Sequence, residues 1–280
     1  MRVTKLSNGL TFISYPIQHA KSVEMGLYIK AGSRYETKSN NGITHLLEHI
    51  HFRQLGDMSQ EVIYQEAECM GSSLRGTTYK EMMNFHMKVR PKYLEKSLLF
   101  FEKILTTFNW TDEQLESEKR IVSNEIYEKE DEQELQLISD ETIWQGHSLS
   151  QPILGDEQTI KRISLEELVN YKKEIFCKGN MVFVITGAIE DNNIKSITKQ
   201  FERIPIADNK TTFIDKSVVE TQFQRTPNIV MKKYSSWSLL DVQLSFDVNL
   251  KLVKENELLF LNSIIGGGDG SRLQKEIREK

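Results

Sequence analysis

The segment His45-Leu46-Leu47-Glu48-His49 places two imidazoles and a carboxylate within five residues. On a helix, positions four apart lie one turn apart on one face, so His45 and His49 can address a single ion. Zinc in a hydrolytic site takes three protein ligands and keeps one position for water, and two histidines with one glutamate form a standard set. Glu48 is then free to take a proton from water whose acidity the metal has raised. The order inverts the better-known H-E-x-x-H helix. Against this, three fixed positions in five also arise by chance, and nearby His51 shows that the same helix carries histidine outside the pattern. The pattern needs a third ligand.

The segment Glu116 to Glu130 offers candidates. Glu118 and Glu125 stand two helical turns apart on one face, so one could coordinate and the other could steer it. Glutamate is common here, however: Asp112 to Glu134 holds ten acidic residues. Most of them belong to a solvated face, and spacing alone does not choose Glu125 over Glu128.

These residues have to be positioned by the elements around them. Ser7-Asn8-Gly9 turns a hairpin between Val3–Leu6 and Leu10–Ile13, and Val23–Ile29 alternates as a strand that Ala31-Gly32-Ser33 ends. From Asn41 the period becomes helical, with Ile43, Leu46, Leu47 and Ile50 on one face and Asn40 or Asn41 as N-cap. A helix from about Ser59 to Met70, a strand Asn84–Val89 closed by Pro91, and helices Tyr93–Thr107 and Asp112 to about Glu134 follow, the last capped by Thr111 or Asp112. Beyond the loop Gly146–Asp156 come a helix near Leu165–Phe176, a buried strand Met181–Thr186 and a helix near Asn192–Phe201. The polar stretch Pro205–Thr226 reads as a linker. Strand, helices and strand begin again at Asn228, and Gly266-Gly267-Gly268 leads into another helix. The expected fold is α+β: a two-layer α/β domain over 1–220, with a mostly antiparallel sheet and helices on one face, then the opening part of a second homologous domain over 221–280.

With 39% hydrophobic and 27% charged residues and a net charge of -4, the chain has a globular composition, and no basic stripe invites nucleic acid. No apolar run reaches the length of a membrane span and the N-terminus lacks a signal-like segment, so no membrane and a cytoplasmic location are expected. Cys69 and Cys177 are expected to be buried, inert thiols. The triple glycine lacks the spacing of a phosphate loop. His86, His147 and the tryptophans Trp110, Trp144 and Trp237 read as packing or surface residues.

The stretch AGSRYETKSNNGITHLLEHIHF, with Gly32-Ser33-Arg34, Glu36 and Gly42 ahead of the histidines, resembles the N-terminal signature of the pitrilysin and mitochondrial processing peptidase family of zinc metallopeptidases. SEKRIVSNEI resembles that family's second motif. GHSLSQPILGDEQTIKRISLEELVNYKKEIFCKGNMVFVITGAI and IIGGGDGSRLQKEIREK extend the resemblance over essentially the whole chain. It implies one zinc ion per chain on His45, His49 and Glu125, Glu48 as general base and then proton donor, and Glu118 steering Glu125. It implies a zinc endopeptidase acting on short or unfolded peptides, in the manner of a processing or leader-peptide protease, with the substrate entering as an added strand.

Two departures matter. Where the family has an Asn-Ala pair and then a threonine on its substrate-binding edge strand, this sequence has Arg75-Gly76 and then Thr78. Arg75 there would favour an acidic residue beside the scissile bond. The Arg and Tyr that the family's second half supplies are expected to lie beyond residue 280: either the sequence is a fragment or truncated product, or another chain supplies that wall, in a homo- or heterodimer with a related chain. The competing expectation is a non-catalytic or partner-dependent subunit of a processing-peptidase-like heterodimer. A purely structural metal site is disfavoured, because such sites are closed by four protein ligands.

Overall fold

The computed structural model describes residues 1–208, 229–231, 242–246, 248 and 252–278, with only the backbone described over 129–134. It divides into two units, Met1–Ser235 and Ser236–Lys280.

The first unit is built on a six-stranded sheet. Its strands are β1 (Arg2–Lys5), β2 (Thr11–Pro16), β3 (Val23–Ile29), β6 (Arg75–Thr78), β7 (Met83–Val89) and β8 (Met181–Gly187), in the order β1-β2-β8-β3-β7-β6. All neighbours are antiparallel except β2 and β8. Alternation along each strand sorts the side chains by face. Phe12, Leu27, Phe85 and Phe183 lie in line on one face and are fully buried, whereas their neighbours Ile13, Tyr28, Asn84 and Val182 on the other face are partly exposed.

The helices cover the buried face. They are α1 (Ile43–Arg53), α2 (Gln60–Cys69), α3 (Leu94–Thr106), α4 (Asp112–Ile143), α5 (Glu157–Arg162), α6 (Leu165–Ile175) and α7 (Asp191–Glu202). Phe101 of α3 and Phe201 of α7 meet Phe183, and His51 of α1 meets Phe85, so all three helices pack on that layer. The expected mostly antiparallel α/β architecture is therefore what forms. A two-strand ribbon, β4 (Gln54–Leu55) with β5 (Met58–Ser59), joins α1 to α2.

Local chemistry fixes the helix starts. Thr111 and Gln114 form a reciprocal capping box at α4, and Ser164 with Glu167 does the same at α6. At α1 neither Asn40 nor Asn41 is the N-cap. Gly42 takes that place with φ +93°, a conformation that glycine adopts without strain, and a Cβ there would lie 2.6 Å from Leu154 O.

Other expectations are corrected. Helix α4 runs to Ile143, past the expected end at Glu134, because nothing in the intervening acidic stretch breaks a helix. Helix α5, capped by Asp156, lies between the expected loop Gly146–Asp156 and the expected helix near Leu165 and was not anticipated. Cys69 is exposed at the end of α2, since Ile63 and Ala67 are the residues that face the core there; Cys177 is buried. The proposed domain boundary at 220/221 and Trp237 lie outside the described residues. Residues 229–231 of the first unit and 242–246 of the second have no regular structure, so the strand expected from Asn228 is not seen in them. Helix α8 (Glu255–Ile265) is followed by the glycine loop and a π-helical turn, Gln274–Arg278. Among the described residues no helix is long and apolar enough to cross a membrane.

Candidate metal centre

Helix α1 is buried on nearly every side, between the sheet edge at β6 and helices α4 and α6. Its polar stripe is therefore aimed into protein, where unpaired polar groups are costly. His45 and His49 meet edge to face one turn apart, with ring centroids 4.5 Å apart. Glu125 of α4 meets both: its Oε2 lies 3.8 Å from His45 Nε2 and its Oε1 3.7 Å from His49 Nε2. One donor atom from each of the three residues falls within 4.8 Å of the others. Donors at zinc-bond length in a tetrahedron stand roughly 3.3 Å apart, so small rotations suffice to close the set on an ion. Glu128, which spacing could not separate from Glu125, points into solvent.

Glu118 is 4% exposed, and its two oxygens are both engaged. One lies 3.1 Å from His49 Nδ1, and the other accepts from Arg53 Nε. The hydrogen-bond partners of Glu118 are thus His49 and Arg53, whereas the resemblance implied that it orients Glu125. Seven residues separate the two glutamates, roughly 10.5 Å along a helix axis, whereas α1 crosses between them. Burial works to lower the His49 pKa, but the hydrogen bond to Glu118 and the charges of Glu125, Glu48 and Glu118 outweigh it and hold it above the ordinary value. With Nδ1 committed to Glu118, Nε2 is left facing Glu125, the tautomer a metal ligand needs. Arg53 was not singled out by sequence, although His45, His49 and Arg53 recur at steps of four and so share a stripe.

Glu48 turns toward the sheet edge. Thr78 Oγ1 donates to its Oε2 at 2.5 Å, and a Cβ placed on Gly76 would lie 2.5 Å from its Oε1. Gly76 and Thr78 pair with Phe85 and Met83, so both look toward the helices; Arg75 pairs with His86 on the opposite face and is exposed. Arg75, Gly76 and Thr78 thus lie on β6, which ends the sheet.

The remaining histidine of the helix takes no part. His51 is fully buried against Phe85, Trp110 and Phe176, with Nδ1 2.6 Å from Leu47 O. Burial, and then the charge of Lys172, hold its pKa well below the ordinary value. His147 caps a short 3-10 turn by accepting from Leu149 N.

Residues 12–157 match the family described as Insulinase (Peptidase family M16), and residues 162–280 match the Peptidase M16 inactive domain. The chain belongs to peptidase family M16. The resemblance read from its motifs is therefore borne out. This M16 chain is 27% identical to the uncharacterized zinc protease YmxG of Bacillus subtilis, over 97% of its own length and 65% of that protein's. It is 30% identical to the beta subunit of mitochondrial-processing peptidase from Lentinula edodes, over 74% of this chain and 45% of that one. Among solved structures, a protease from Helicobacter pylori superposes with a TM-score of 0.78 at 20% identity, covering 99% of this chain and 67% of the other. That likeness carries the fold. The M16 chain spans about two thirds of the length of the zinc proteases it matches.

Proposed function

We propose that this M16 chain is a zinc-dependent endopeptidase for short or unfolded peptides, with the metal on His45, His49 and Glu125. The observation that carries the reading is the convergence of those three donor sets beside a carboxylate, Glu48, that rests against an edge strand. A zinc ion held there supplies the Lewis acidity that makes water a nucleophile at neutral pH. Glu48 accepts the proton of the attacking water on a carboxylate oxygen, then delivers it to the departing amine nitrogen. Glu118 keeps His49 in the ligating tautomer, and Arg53 keeps Glu118 turned toward it. An extended peptide pairs with the outer edge of β6, the last strand of the sheet among the described residues, through its backbone, which restricts substrates to segments able to become a strand. Gly76 leaves room for the Glu48 carboxylate beneath that strand.

The test is metal content by elemental analysis together with cleavage of a quenched fluorescent peptide library, for the wild-type chain and Glu48→Gln. Near-stoichiometric zinc in both, with cleavage falling by about 100-fold to 10,000-fold in the variant, is expected. Absence of zinc from both would end the reading.

A second reading, a subunit that cleaves only beside a related chain, is favoured by the match of residues 162–280 to the inactive domain. The match to the inactive domain begins after every residue of the candidate centre, so it does not bear on the ligands. Zinc in both proteins with cleavage only after a related chain is added would select it.

A further inference from the structure

His45 is the third residue of α1, and the helix reaches it without a side-chain cap of its own, because its N-cap is Gly42. The N–H groups that open a helix have no partners within it. Here they are held from outside by Glu36, which is 2% exposed. Its Oε2 accepts from Gly42 N at 2.7 Å and from Asn41 Nδ2 at 2.8 Å. Its Oε1 accepts from Thr44 N at 2.9 Å and from Thr44 Oγ1 at 2.5 Å. Thr44 gives its proton to Glu36, so the 2.6 Å contact between Thr44 Oγ1 and Tyr171 hydroxyl is donated by the tyrosine. Burial raises the tyrosine pKa far above its ordinary value and keeps it a donor. The carboxylate is thereby tied to α6 as well.

The same loop also holds the strand edge. Arg34 N donates to Lys80 O at 2.8 Å, and the Arg34 side chain pairs with Glu81, both in the turn that follows β6. Gln151 Nε2 donates to Ser33 O and Glu36 O and fastens the loop from its other side.

We propose that Glu36 is a positioning residue: from outside the metal centre it pins the first turn of α1 and so keeps His45 in register with His49 and Glu125. The effect is directional. The second turn has anchors of its own, Thr78 on Glu48 and Glu118 on His49, whereas the first turn is held by Glu36 through Gly42 N and Thr44 N, with Ile43 N bonded to Asn40 O. Loosening the cap therefore releases His45 and leaves His49 and Glu48 in place. This role rests on the zinc reading; the cap itself does not, and the experiment separates them.

Glu36→Gln keeps the shape but turns an N–H donor toward donors. Thr44→Val, a milder change, removes one donor and the link to Tyr171. Ser164→Ala, which breaks the capping box of α6, serves as a control for general destabilisation. Two readouts are taken: amide hydrogen exchange over residues 42–46 of the metal-free protein, and Co2+ affinity with the visible absorption of the bound ion. For Glu36→Gln, exchange over 42–46 is expected to rise, and Co2+ affinity to fall, by about 3-fold to 30-fold, the equilibrium equivalent of a lost N-cap. Exchange over 48–52 stays put, and the absorption changes as an imidazole leaves the ion. Thr44→Val shifts both in the same direction, and Ser164→Ala shifts neither. Wild-type exchange and Co2+ binding in Glu36→Gln would overturn the proposal, as would an equal shift in Ser164→Ala. A wild-type chain that takes up no Co2+ would remove the metal role, while the exchange difference in metal-free protein would still report the cap.

Discussion

Arg75 and Gly76 are adjacent on β6 yet face opposite ways, and this division separates two tasks. Gly76 looks toward Glu48, where a side chain would collide with the base. Arg75 looks to the outer face beside His86, with Ser73 Oγ accepting from its Nε at 3.2 Å. A peptide added to this edge would place a side chain across from the Arg75 guanidinium, and opposite charges paired across strands contribute roughly 0.2–1 kcal/mol. Replacing attraction by repulsion doubles that difference. Arg75→Glu is therefore expected to lower kcat/KM for a peptide carrying Glu at that position by about 2-fold to 30-fold and to raise it comparably for one carrying Lys. Matched peptide pairs read this directly, and an unchanged ratio would mean that the substrate strand does not run past Arg75.

At the scale of elements, the packing behind α1 is as unusual as the site in front of it. Lys172 of α6 is fully buried, with Nζ donating to Ile104 O at 2.7 Å and Thr107 O at 2.5 Å. It lies over the rings of Phe108, Trp110 and Phe176, 4.5 to 4.9 Å from their centroids. Burial holds its pKa well below the ordinary lysine value. Between that lowered value and the ordinary one near 10.4, the unfolded chain keeps a proton that the folded chain has released. Stability from this group therefore rises with pH across that window, and below it the cost of burying the charge is present in full. Urea titrations between pH 7 and pH 9 should show wild type gaining stability relative to Lys172→Met, approaching about 1.4 kcal/mol per pH unit where the two states differ by a whole proton. His51, the other buried base of this cluster, titrates differently from the unfolded chain only below about 6.5, outside the measured range. Parallel wild-type and variant curves would show that the aromatic rings and carbonyls hold the ammonium at its ordinary value. Periodicity puts Lys172 on the stripe of Leu168, Tyr171 and Ile175 and Lys173 off it, but nothing within this helix shows the carbonyls and rings from other elements that let a lysine be buried there. What was legible is governed by short range. Val23–Ile29 and the pair His45 and His49 follow from periods of two and of four within one element. The choice of Glu125 over Glu128, the partner of Glu118 and the cap from Glu36 depend on how separate elements cross, which spacing along one element does not encode.

At the scale of the whole molecule, the two units differ in how their apolar residues are used. In the first unit the sheet and seven helices close over a continuous core. In the second, α8 carries no buried residue, and Leu259, Phe260, Leu261 and Ile264 are 65%, 72%, 51% and 55% exposed. Helix α8 reads ENELLFLNSII and is apolar over most of its circumference, a composition that belongs inside a fold or an interface. The dependence on a second chain proposed above has a consequence here. If a related chain or further sequence normally covers this helix, the 280-residue chain alone should associate through it at micromolar concentrations. Light scattering over a concentration series is expected to show mass rising above that of one chain, and Phe260→Glu together with Leu261→Lys should return it toward the monomer with zinc content unchanged. A wild-type chain that stays monomeric throughout would argue that α8 needs no cover, and with that the case for a partner would rest on peptide cleavage alone.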